Sequence, residues 1–295
     1  MPSLVVADCE GCGYEVDTDF GYCCDECDTW RCEDCGSCEC SDDSDYRSRD
    51  CRVREYYYRP TRFRPKGNFQ TDALLGLELE VSGSQSDIAD VVERFDSAED
   101  HLYMKQDSSI DGVEIVTHPM TLAYARQYRF GNLLRELRCV TGDLDDDYGL
   151  HVHVSREAFR RGGKPSASHQ MTWLLFMYRN ADHLEMLARR SGSRWAAFHK
   201  PGRGELARKA RAVQSDDRYV AVNCNNATTY ELRFFKSTLD ETEFYAALEF
   251  ADASVRYTRA IPIHDVLRGK AMTWRHFSAW VERRNYRHLS AEISQ

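Results

Sequence analysis

No run in the 295-residue chain approaches eighteen apolar residues, so no membrane-spanning helix is expected. The opening residues, Met-Pro-Ser-Leu-Val-Val-Ala-Asp, lack a positive region followed by a long apolar stretch, so no secretory leader is expected either. Neither Gly-x-Gly-x-x-Gly nor Gly-x4-Gly-Lys-Ser occurs, which removes the Rossmann and P-loop routes to a nucleotide. Beyond Cys51 only Cys139 and Cys224 occur, so disulfides do not staple the bulk of the chain. With a formal charge of −9, unspecific nucleic-acid binding by the whole chain is not expected. A cytoplasmic location is.

What is present begins with cysteine. Ten of the twelve cysteines lie at or before Cys51, a density that in a cytosolic chain points to metal. They fall as Cys9-x2-Cys12, Cys23-Cys24-x2-Cys27, Cys32-x2-Cys35 and Cys38-x-Cys40. Each close pair offers two thiolates from one tight turn, and two such turns close a tetrahedral Zn²⁺. Two Zn²⁺ are therefore expected, on Cys9, Cys12, Cys24, Cys27, Cys32, Cys35, Cys38 and Cys40, with Cys23 an alternative to Cys24. A cross-braced and a sequential pairing fit the spacing equally. So polar a segment has no core of its own, and metal would provide its folding energy. Closed four-thiolate sites leave no open position, so this module is expected to be structural or partner-binding.

Charge then reverses. Residues 1–45 carry fourteen Asp plus Glu against Arg31, whereas residues 46–66 carry eight Arg plus Lys against Asp50 and Glu55. With Pro60 and Pro65 inside it, the stretch 46–70 reads as a basic, aromatic linker between a zinc module (1–45) and a larger domain (71–295). Basic residues interleaved with tyrosine can also grip single-stranded nucleic acid. Charge runs without a motif are more often solvated, and the linker reading is preferred.

In the larger domain, Gly76-Leu77-Glu78-Leu79-Glu80-Val81 alternates apolar and acidic residues, as a half-solvated strand does. Three distant runs do the same with ligand-type side chains: Gly-Val-Glu114-Ile-Val, Leu150-His151-Val-His153-Val and Tyr230-Glu231-Leu-Arg233-Phe-Phe. Between them the pattern predicts a helix over 86–95, a hairpin over 103–116, helices over 122–138 and 169–190, and a Gly-rich loop over 191–204. A strand over 220–223 and helices over 241–260 and 272–285 complete the chain. Strands joined by helices and hairpins predict an α+β domain with a curved, mostly antiparallel sheet.

If the four strands share one sheet, their polar faces pool into one cavity. Residues i and i+2 of a strand stand about 6.6 Å apart, so Glu78 and Glu80 can flank two divalent ions. Oxygen ligands from Glu78, Glu80, Glu114 and Glu231, with one imidazole, suit Mg²⁺ or Mn²⁺ better than Zn²⁺. Buried carboxylates demand cations beside them. Arg233 beside such a centre is placed for phosphate oxygens, with Lys105 and Lys236 adding charge.

These stretches together resemble the amidoligases of the carboxylate–amine ligase superfamily of glutamine synthetase and glutamate–cysteine ligase. The likeness runs from about Leu74 to Ala251. It rests on Gly-Leu-Glu78-Leu-Glu80-Val, Lys105-x-Asp107-x-Ser-Ile-x-Gly112-x-Glu114-Ile-Val-Thr, Gly149-Leu-His151-Val-His153-Val, Asn223, and Tyr-Glu231-Leu-Arg233-Phe-Phe-Lys236-Ser-Thr. It implies a glutamine-synthetase-like sheet and ATP with Mg²⁺ or Mn²⁺ as cofactors. Glu78, Glu80, Glu114, Glu231 and His153 (or His151) become metal ligands, with Asn223 in the cofactor site. Arg233 becomes a phosphate clamp, and Lys105 and Asp107 handle phosphate or the incoming amine. The implied reaction joins a carboxylate to an amine through an acyl phosphate, with small-molecule, peptide or protein substrates. Many members of that family are phage or bacterial proteins, so the resemblance implies a cytoplasmic location, the host cytoplasm if the chain is phage-encoded. A hydrolase or cupin-like centre on His151 and His153, and an inactive zinc-module adaptor, are the competing readings.

Overall fold

The computed structural model describes residues 6–9, 13–17, 22–23, 30–31, 50, 52–68, 72–161, 163–190, 198 and 220–294. Of the cysteines expected to hold zinc, Cys12, Cys24, Cys27, Cys32, Cys35, Cys38 and Cys40 lie outside the described residues, as does most of the loop over 191–204. Cys9 is buried at the turn of a small hairpin, Val6–Asp8 with Glu15–Asp17, and Cys23 pairs with Trp30 in a second one.

Residues 53–236 contribute the strands of one eight-stranded sheet. Its strands are β1 (Val53–Arg54), β2 (Leu74–Ser82), β3 (Leu102–Lys105), β4 (Gly112–Thr117), β5 (Met120–Thr121), β6 (Gly149–Ser155), β7 (Val222–Asn223) and β8 (Thr229–Lys236). Their order is β7-β8-β6-β2-β4-β3-β1, with β5 also pairing with β2. Every pairing is antiparallel except β1 with β3. The mostly antiparallel mixed α/β architecture is the one expected. The edge strand β1 comes from inside the stretch read as a linker, and Lys66 bridges to Met120.

Alternation decides the faces. Leu75, Leu77, Leu79 and Val81 of β2, Val152 and Val154 of β6, and Tyr230 and Leu232 of β8 are all buried in one apolar cluster. Helix α1 (Gln85–Asp96) starts on its Ser84 cap and buries Ile88, Val91 and Val92 in the same cluster.

Two helices expected as single rods are broken. The first divides into α2 (Leu122–Ala125) and α3 (Phe130–Leu137), because Tyr128 turns to stack on His101 with ring centroids 4.8 Å apart. The second divides into α4 (Ala167–Arg179) and α5 (Ala181–Ala188) at Asn180. That side chain donates to the Phe176 and Met272 carbonyls, a local competition with the helix that asparagine favours.

Helix α6 (Glu241–Ala260) crosses the apolar face against β2 and β6, and is buried along most of its length. Its Asp240 cap and first-turn Glu241 and Glu243 complement the helix dipole. The chain closes with α7 (Ile263–Arg268), α8 (Trp274–Val281) and α9 (Arg287–Ile293); α8 ends earlier than expected, and the pattern had not marked α7 and α9. The fully buried Glu249 of α6 accepts from the His288 and Leu289 N–H groups and from Arg126, fastening α9 in place. No helix among the described residues is long and apolar enough to cross a membrane.

Candidate functional site

Register brings the four ligand-bearing strands side by side, and opposite residues of an antiparallel pair share a face. Across the polar face runs a first row, Asn223, Glu231, His153 and Gly76. A second row holds His151, Glu78, Val116 and Tyr103. A third holds Glu80, Glu114, Lys105 and Arg54, with Gly149 beside Glu80 through its N–H.

Arg233 enters this face through an irregularity. Leu150 pairs with Phe235 and Val152 with Leu232, so β8 spends two residues, Arg233 and Phe234, where β6 spends only His151. The bulge puts Phe234 and Phe235 together on the apolar side, each 6.1 Å from the Phe250 ring of α6. It returns Lys236, opposite Gly149, to the polar side, where its Nζ lies 3.2 Å from Asp146.

Within the cleft, His151 Nδ1 lies 3.3 Å from Glu78 and 3.7 Å from Glu231, and its Nε2 lies 3.6 Å from Glu80. His153 Nε2 lies 3.0 Å from Glu78. Arg233 donates to Glu231 Oε1 at 2.5 Å, and Asn223 donates to Glu231 Oε2 at 2.8 Å. Lys105 Nζ lies 3.0 Å from Glu114. Glu80, Glu114, His151 and Glu231 are each only 4% exposed, so these charges interact at low local dielectric.

The cations that such carboxylates demand are supplied by the chain itself: Lys105, Arg233, Arg190 and the His153 imidazole. Burial pushes the Glu78 carboxyl up, but His153 and His151 overcome it and hold it well below the usual range. Burial opposes a charged His153, yet Glu78 first, then Glu231 and Glu114, raise it to about 9. Glu114 is pushed well above the ordinary carboxylate range by burial and by the Glu78 charge, with Lys105 pulling the other way. Burial likewise lifts Glu80.

Glu78, His151 and Glu231 each place a ligand atom within 4.8 Å of the other two. Two carboxylates and one imidazole fit Mg²⁺ or Mn²⁺, so the donor set suits the divalent ion expected. Of the two histidines left open by the sequence, His151 belongs to this group; His153 faces Glu78 and Thr229 instead.

No family model matches the chain, and no curated protein matches it. Among solved structures, the crystal structure of the complex between the prokaryotic ubiquitin-like protein Pup and its ligase PafA aligns with it. The alignment covers 76% of this chain and 62% of that one, at 10% identity and a TM-score of 0.37. This chain thus spans less than two thirds of that chain.

Asp107 stands apart from the other expected residues: it accepts from the Ser109 N–H and hydroxyl in the β3–β4 turn, and only its charge reaches Glu80. Three contributors had not been picked out. Thr229 accepts or donates at His153 Nδ1, 3.2 Å away, and Tyr103 lies in the row of Glu78. Both were findable, because Thr229 and Tyr103 precede Glu231 and Lys105 by two and so share their faces. Arg190 carried no such signal. It is 4% exposed and pins the acidic loop, donating to the Asp146 and Asp147 carbonyls at 2.8 and 3.0 Å.

Proposed function

We propose that this polar face is the site of an ATP-dependent carboxylate–amine ligase. One observation carries the reading. Four carboxylates from three strands converge beside Arg233, whose buried Nε has no hydrogen-bond partner among the described residues. A buried guanidinium with a donor left over is made to receive an oxyanion.

Glu78, His151 and Glu231 would hold the divalent ion, which when bound screens phosphate charge. A substrate carboxylate oxygen attacks the γ-phosphorus of ATP, ADP leaves, and an acyl phosphate forms. The amine lone pair then attacks the acyl carbon, inorganic phosphate leaves, and the nitrogen sheds its proton. Arg233 and Lys236 supply fixed positive charge toward the phosphoryl oxygens, as phosphoryl transfer requires, while the Lys105 ammonium stays on Glu114. Glu80 and Glu114 hold the surrounding cations in place, and Asn223 holds the Glu231 carboxylate. Asp107, on the β3–β4 turn, is assigned to the incoming amine. Because His153 is engaged by Glu78 and Thr229, a hydrolase centre using both imidazoles is the weaker reading.

The test is ATP with Mg²⁺, hydroxylamine and a panel of carboxylic acids. Hydroxamate formation, with an ATP-dependent rise in melting temperature that Glu80→Ala abolishes, supports the ligase. No hydroxamate with any acid and no stabilisation by ATP overturn it.

A further inference from the structure

The four carboxylates of the cleft are not alike in what already occupies them. Glu78 and Glu231 share His151, and these three form the only metal-capable group among the described residues. Glu80 takes the Gly149 N–H at 2.5 Å and faces His151 Nε2. Glu114 has an ammonium of its own, Lys105 Nζ, 3.0 Å away with only 15% of the lysine side chain exposed.

A two-ion centre needs carboxylates around two positions about 3.5–4 Å apart. Beyond Glu78, His151 and Glu231, the oxygens left for a second ion belong to Glu80 and Glu114, which stand directly opposite each other in the β2–β4 register. Lys105 stands opposite Glu114 from the other side, in the β3–β4 register. A second dication on Glu114 would have to displace an ammonium that lies 3.0 Å from that carboxylate and 5.8 Å from the Tyr56 ring. It would leave that ammonium largely buried and without its carboxylate, which is strongly unfavourable.

Resting on the ligase reading, we infer that the cleft takes one divalent cation, on Glu78, His151 and Glu231, and that the Lys105 ammonium supplies at Glu114 the charge a second ion would bring. Lys105 is thus a built-in counter-cation. It neutralises Glu114 and repels a dication from the Glu80–Glu114 pair.

The experiment counts bound Mn²⁺ on the full chain without nucleotide, from the electron paramagnetic resonance of the free ion. Mn²⁺ is a hard ion that thiolates take poorly, so the cysteine-rich segment contributes little. One equivalent is expected for the wild type, lost in His151→Ala and unchanged in Glu114→Gln. Lys105→Met is expected to gain a second, weaker equivalent that Lys105→Met/Glu114→Gln loses again. Two equivalents in the wild type, falling to one in Glu114→Gln, overturn the inference while leaving a ligase intact. No bound Mn²⁺ at all overturns the metal-dependent reading and the inference with it. A cooperatively melting Lys105→Met that still takes one ion also overturns it. Should that variant not fold, the wild type against Glu114→Gln decides, because only a two-ion site loses an equivalent there.

Discussion

Arg233 and Lys236 stand three residues apart on one strand yet project from the same face of the sheet. Strict alternation would send Lys236 into the apolar core. The extra residue opposite His151 reverses the parity, burying Phe234 and Phe235 side by side and returning the lysine to the cleft. Deleting Phe234 takes out one of the two residues that face His151, so Arg233 and Lys236 then stand two apart and keep their common face by plain alternation. The expected result is a loss of about 3–5 kcal/mol in urea unfolding, since a large core aromatic is removed. A deletion variant with the wild-type urea midpoint would mean that Phe234 adds nothing to the core.

Gly149 is constrained by what surrounds it. A Cβ there would lie 2.7 Å from His151 Nε2 and 2.9 Å from an Arg190 nitrogen. Gly149→Ala is expected to cost about 1–3 kcal/mol by overpacking. It should also displace His151, so Mn²⁺ affinity drops at least tenfold while far-ultraviolet circular dichroism stays unchanged. Urea unfolding of the variant checks the first half and calorimetric titration with Mn²⁺ the second.

His118 provides a pH-dependent term away from the cleft. It is buried and uses both ring nitrogens, Nδ1 toward the Arg64 N–H and Nε2 toward the Glu99 carbonyl. Burial lowers its pKa below the ordinary 6.5. Below that value the unfolded chain binds more protons than the folded one, so this contribution is present above about pH 6.5 and is lost as pH falls. Urea midpoints at pH 7.5 and pH 5 should fall further in the wild type than in His118→Gln. Equal falls in the two proteins would remove His118 as the cause.

Glu249 fastens the end of the chain. Replacing it by alanine leaves Arg126 and the His288 and Leu289 N–H groups without their shared acceptor. Breaking a buried pair from one side costs about 3–5 kcal/mol. Limited proteolysis should then cut between α8 and α9 before any other site. Protection equal to the wild type would show that α9 is held by its apolar contacts alone.

Much of this was legible beforehand, and the reason is periodicity. A two-residue repeat is a local property, so Glu78 with Glu80, His151 with His153 and Glu231 with Arg233 could be assigned to shared faces without any partner strand. Helices α1 and α6 were legible too, expected over 86–95 and 241–260, although their caps, Ser84 and Asp240, were not picked out. The breaks at Tyr128 and Asn180 were not, because His101 and the Met272 carbonyl that cause them come from far along the chain.

The sequence by itself determined which side chains share a strand face, and hence that acidic, imidazole and guanidinium groups recur at matching positions. Which strands lie beside which was decided only in the tertiary structure: Glu80 against Glu114, His151 against Glu78, Lys105 against Glu114. So was the bulge in β8, and so was the seating of Arg190 over Gly149. The physical reason is that spacing along one strand is set by covalent geometry, whereas charge compensation at low dielectric depends on which distant groups the packed core brings within a few ångströms.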